Sequence, residues 1–123
     1  MNLNELSKEI HALAIEKGWW EENRTFGDII ALIHSEISEC LEEYRNNRPL
    51  MYWWKDGVEY STDFHSEQYD GSKPQGIAVE LADCIIRILD YCAYANIDIE
   101  DAIKTKHEYN RTRPYRHGGK ATI

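Results

Sequence analysis

Residues 76–95 read Gly76-Ile-Ala-Val-Glu80-Leu-Ala-Asp83-Cys-Ile-Ile-Arg87-Ile-Leu-Asp90-Tyr-Cys-Ala-Tyr94-Ala95. Wound at 3.6 residues per turn, the apolar side chains cover most of the circumference. What is left is one narrow polar stripe: Glu80, Asp83, Arg87 and Asp90, with Tyr94 at its end. A helix this apolar is expected to be buried. Acids on a buried helix need a charge partner or a metal ion. Asp83 with Arg87 and Arg87 with Asp90 sit at pairing distance along one helix, which still leaves Glu80 over.

Upstream, Thr25 is a candidate N-cap with Asp28 three residues on, and Pro49 stops a helix that runs to about Arg48. On it Ile29, Ile33, Ile37, Cys40, Leu41 and Tyr44 form a core face. Glu36, Glu39 and Glu43 fall on one strip beside that face, while Glu42 points away. Glu36 and Glu39 are one turn apart, so their carboxylates can converge. Arg45 and Arg48 point elsewhere on the wheel. Several carboxylates beside cores that must pack together cannot all stay ionised without a cation. Oxygen-only ligands suit Mg²⁺, Mn²⁺ or Ca²⁺. A di-iron bundle would want Glu-x-x-His pairs, and His34 faces away from the glutamates. No Asp-rich calcium loop is present. Mg²⁺ keeps several waters and usually joins a few carboxylates to substrate phosphates, which would link the acidic helices to a basic tail.

The remaining chain completes a helical reading. Leu3, Leu6, Ile10 and Leu13 mark a first helix over 2–17, stopped by Gly18. Asp98 caps a fourth helix to about Arg111. Residues 49–76 form a long connection, with Asp56-Gly57 between two aromatic runs pointing to a small hairpin. The expected fold is therefore an all-α bundle of four helices in one domain, 1–123, with a long loop between the second and third. A length of 123 residues suits one domain with its own core.

Net charge is −8, which speaks against a binder of polymeric nucleic acid. The charge is unevenly placed: residues 104–123 hold six basic groups and one acidic group. There Lys106, Asn110 and Arg113 lie on successive turns and Lys120 follows a Gly-Gly pair, a candidate phosphate-binding set. No Gly-x-x-x-x-Gly-Lys-Ser/Thr loop and no Gly-x-Gly-x-x-Gly fingerprint is present. No run approaches a membrane span and no leader pattern opens the chain, so a cytoplasmic protein with no membrane partner is expected. Cys40, Cys84 and Cys92 lack metal-type spacing and read as small core residues.

Glu36-Ile-Ser-Glu39 followed by Glu80-Leu-Ala-Asp83 resembles the ExxE…ExxD signature of the MazG-like, all-α nucleoside triphosphate pyrophosphohydrolases. The flanks agree: Gly18-Trp19-Trp20, Leu32-Ile33-His34-Ser35, Lys73-Pro74-Gln75-Gly76-Ile77, Tyr109-Asn110, Arg113-Pro114 and His117-Gly118-Gly119-Lys120. The resemblance spans nearly the whole chain, although the connection between the motifs is longer than in compact members. It implies hydrolysis of a nucleoside triphosphate, a dNTP or a non-standard NTP, between the α- and β-phosphates. It further implies Mg²⁺ held by Glu36, Glu39, Glu80 and Asp83. Glu39, or second Glu43, is the candidate general base. Arg87 and Asp90 look like groups that orient the ligands. Trp19 and Trp20 are candidates for stacking on the base, with burial the competing use. Assembly into a dimer or tetramer is implied by the resemblance, and the apolar third helix is consistent with it. The alternatives are a related all-α dUTPase, a phosphoribosyl-ATP pyrophosphohydrolase, or a non-catalytic helical module that binds nucleotide or a partner.

Overall fold

The protein is described by a computed structural model covering residues 2–60 and 71–115. Along these residues run α1 (Leu3–Glu16), α2 (Phe26–Arg45), β1 (Tyr52–Lys55), β2 (Val58–Tyr60), β3 (Lys73–Gln75), α3 (Ile77–Tyr94) and α4 (Ile99–Thr112). The helical expectation holds, but the fold is not purely α. The connection between α2 and α3 carries a three-stranded antiparallel sheet in the order β2-β1-β3.

Local chemistry sets the element ends. The side chain of Asn2 accepts from the Glu5 amide at the start of α1. Thr25 and Asp28 form a reciprocal capping box at the start of α2, and Asp98 accepts from the Asp101 amide at the start of α4. α2 stops at Arg45, short of Arg48, because Asn47 turns into the left-handed region at φ 53°. Asp56 and Gly57 both have positive φ, 50° and 79°. That is the turn expected of a two-residue hairpin, and it pairs Lys55 with Val58 and Trp53 with Tyr60. β3 went unanticipated because Lys73-Pro74-Gln75 shows no alternation. Pro74 is tolerated there because β3 lies at the sheet edge.

α3 is the axis of the molecule. α1 and α2 each pack along it, and α4 docks chiefly on α1. Ser7 of α1 donates its hydroxyl to the carbonyl of Leu89 on α3. Asn4 joins the N-terminal ends of α1 and α4, giving its amide to Asp98 at 2.8 Å and its backbone N–H to Glu100 at 3.1 Å. Among the described residues the buried apolar ones are few: Ala14, Ile29, Tyr52, Cys84, Leu89 and Cys92. Two burial expectations are corrected. Leu81, Ile85, Ile86 and Ile88 of α3 remain exposed, as do Ile37, Leu41 and Tyr44 of α2. α2 is rolled so that its glutamate strip, not the centre of its apolar face, turns to α3: Glu36 is only 7 % exposed, against 46 % for Ile37. Within one chain, the acid rows of the two helices face each other and the apolar stripes are left over.

Gly76 fixes where α3 begins. Its φ of 113° and ψ of 175° lie in a region essentially reserved for glycine. A Cβ there would sit 2.5 Å from the Leu50 carbonyl oxygen. The same carbonyl accepts from the Ala78 amide at 3.0 Å. Gly76→Ala is therefore expected to destabilise the fold by on the order of 3 kcal/mol, measured by urea denaturation. A variant as stable as the parent would rule out this close approach.

Candidate metal centre

Glu36 of α2 and Glu80 and Asp83 of α3 each place a carboxylate oxygen within 4.8 Å of the others. The helix–helix contact brings them together: i, i+3 spacing on α3 puts Glu80 and Asp83 on one side, and the roll of α2 turns Glu36 in to meet them. Arg87, one turn beyond Asp83, gives its Nε–H to Glu36 Oε1 at 2.7 Å. Sequence spacing suggested Asp83 or Asp90 as the partner of Arg87; across the interface it is Glu36. The bond holds Glu36 in place and neutralises one charge.

The remaining negative charge raises the proton affinity of the cluster. Glu80 is pushed up to about 7, first by burial, then by a hydrogen bond shared with the Glu39 carboxyl and by the charges of Asp83 and Glu36. Asp83 is pushed up as well, by burial and by Glu36, against the pull of Arg87. Among the described residues Glu80 Oε2 is buried with no hydrogen-bond partner. A buried, unpaired carboxylate oxygen beside two further carboxylates is where a hard divalent cation fits. Glu39, expected as a fourth ligand, lies outside the three-residue cluster. It is exposed and reaches it through Glu80.

Glu39 and Glu80 also border a cleft of about 350 Å³ between α2 and the sheet, shared with Glu43, Asn46, Arg48 and Tyr52. Tyr52 donates its hydroxyl to both oxygens of Glu43, at 2.8 and 2.9 Å. The Arg48 guanidinium lies 4.5 Å from the centre of the Tyr52 ring and pairs with Glu59 of β2. Sequence reasoning gave Tyr52 no part near the acids, and turned Arg48 away from them on the helix wheel. The signal was present only as an aromatic residue opening β1, whose partners are set by how the sheet folds back on α2.

The other candidates are placed differently. Asp90 lies on the same stripe two turns beyond Asp83, and there it is engaged away from the cluster, accepting from His11 at 2.7 Å and from the Trp20 indole at 3.0 and 3.1 Å. Trp20 stacks on Tyr94, ring centres 4.4 Å apart, so one of its faces is taken. Trp19 is 53 % exposed. Lys106 and Arg113 flank the ring of Tyr109 at 4.7 and 5.6 Å. Among the described residues, no hydrogen bond or ion pair joins Lys106, Asn110 or Arg113 to the acidic cluster. Lys120 lies outside the described residues.

No family model, curated protein or solved structure matches the chain. No helix among the described residues is long and apolar enough to cross a membrane.

Proposed function

We propose that the protein is a Mg²⁺-dependent nucleoside triphosphate pyrophosphohydrolase, resembling the MazG-like family, that cleaves between the α- and β-phosphates of a dNTP or non-standard NTP. The observation that carries this reading is the convergence of Glu36, Glu80 and Asp83 around a buried, unpartnered carboxylate oxygen. Arg87, with a weaker contribution from Lys73, cannot balance so many acids. Glu36, Glu80 and Asp83 would hold the cation, with Glu39 at the lip. When bound, Mg²⁺ (or Mn²⁺ in its place) polarises phosphoryl oxygens and offsets the charge that develops on them. The chain's own residues do the rest. Arg87 orients Glu36, and Glu39 and Glu43 border the adjoining cleft as acceptors for the proton of an attacking water.

A cytoplasmic homo-oligomer, dimer or tetramer, is part of the same reading. Leu81, Ile85 and Ile88 of α3 and Ile37, Leu41 and Tyr44 of α2 stay exposed in the single chain, the kind of apolar surface a subunit contact would cover. An oligomer also offers a second copy's α4 as a source of the phosphate-binding cations Lys106 and Arg113, which one chain does not bring to the cluster.

Pyrophosphate release from a panel of NTPs and dNTPs, with and without Mg²⁺, tests the proposal. Metal-dependent release of pyrophosphate and a monophosphate from at least one nucleotide is expected. The same panel, with dUTP and phosphoribosyl-ATP included, separates the related activities. No product from any nucleotide, with folded protein, leaves a non-catalytic module in which Arg87 merely pairs with Glu36.

A further inference from the structure

We propose that Tyr52, contributed by the sheet, is a positioning residue that fixes Glu43 as the base in the cleft beside the acidic cluster. The inference rests on the pyrophosphohydrolase reading and chooses between its two candidate bases. Glu39 lies beside Glu80 at the lip of the cluster, where the cation would sit. Glu43 lies one turn further along α2, borders the same cleft as Glu80, and is held by a hydroxyl from another element. Tyr52 is 4 % exposed, so the hydroxyl that grips Glu43 is itself held firmly. Arg48 over the ring, and its pair with Glu59, lock that tyrosine between α2 and β2. Burial pushes the Tyr52 phenol above its ordinary value, so it remains a donor throughout the neutral range.

The geometry suits a base. A carboxylate offers about four acceptor sites. One hydroxyl shared between its two oxygens leaves lone pairs free toward the cleft. In the step inferred, a water in the cleft gives its proton to Glu43 as its oxygen bonds to the α-phosphorus. The bond from that phosphorus to the bridging oxygen breaks, and the electron pair leaves with pyrophosphate. The sheet is then part of the catalytic apparatus, and the long connection between the two acidic motifs has a task.

The test is a kinetic cycle in Mg²⁺ with wild type, Tyr52→Phe, Glu43→Gln and the double variant. Tyr52→Phe keeps the buried ring and removes only the hydroxyl. It is expected to lower kcat by about 10- to 100-fold, with KM and the Mg²⁺-induced rise in Tm unchanged. Glu43→Gln is expected to lower kcat by about 100-fold or more. The double variant should be no slower than Glu43→Gln alone, because the hydroxyl acts only through that carboxylate. A merely structural tyrosine would lower Tm and leave kcat alone. Wild-type kcat in either single variant overturns the proposal, as does a double variant in which the two losses multiply. Should Tyr52→Phe fail to fold, Glu43→Gln still decides the matter. An inactive wild type overturns the pyrophosphohydrolase reading and this step together. An active wild type with an unaffected Tyr52→Phe overturns this step only.

Discussion

Glu80→Gln is expected to lower pyrophosphate release by about a thousandfold or more and to remove most of the Mg²⁺-dependent rise in Tm. A cation held beside transferring phosphates supplies several kcal/mol, and each 1.4 kcal/mol is about tenfold in rate. Glutamine keeps the shape and removes the charge. The same variant should alter pH dependence with the opposite sign in stability. Glu80 titrates at about 7 in the folded protein, well above an ordinary carboxylate. Between those two values the folded state binds more protons than the unfolded state, so metal-free stability falls as pH rises through that window. Above about 7 the penalty is fully present; below the ordinary carboxylate range it is gone. Metal-free Glu80→Gln should therefore melt higher than wild type at pH 8, and the two should converge near pH 4. Added Mg²⁺ should raise wild type at pH 8 by mass action and barely move the variant. Scanning calorimetry at several pH values, with and without Mg²⁺, reads all of this. A variant that keeps its turnover shows that Glu80 is not a ligand.

If the proposed homo-oligomer forms through α3, Ile85→Lys is expected to convert it to monomer. Ile85 is 53 % exposed in the single chain, on a stripe shared with Leu81 and Ile88. If that stripe is solvent-facing, a lysine there is nearly neutral in energy, as most surface changes are. If it is buried against a second copy, the change desolvates an unpaired ammonium at the interface. The dissociation constant should then rise by about 100-fold or more. Sedimentation velocity across a concentration series distinguishes the two. A wild type that is monomeric at every concentration, or an Ile85→Lys variant that assembles unchanged, removes α3 from the interface.

Much of the architecture could be read from local chemistry. Thr25 with Asp28, Asp98 and Asp56-Gly57 act within four residues of themselves, and each did what its side chain or backbone requires. The helix wheels also put Glu36, Glu80 and Asp83 on the strips that meet. What escaped notice depends on how elements are rolled and docked. The apolar centre of α2 promised to face the chain's own core, yet Glu36 turns inward and Ile37 outward. Arg87 had two good partners along its own helix and took a third across the interface. Asp90 and Trp20, 70 residues apart, share a hydrogen bond that no periodicity announces. β3 has no pattern of its own and exists because β1 offers it an edge.

The Leu50 carbonyl, which caps the start of α3, shows how the chain tolerates so long an excursion. The path leaves the helical pair at residue 50 and returns to the same point at residues 76–78. Everything between is a detour whose two ends already touch. The helices therefore feel a short connection whatever the length of the excursion, and loop-closure entropy grows only slowly with that length. Variation in size can accumulate there without disturbing the register of α2 against α3. The excursion can thus be lengthened, shortened or rebuilt as a unit, carrying its tyrosine with it, while the acid-bearing helices stay fixed.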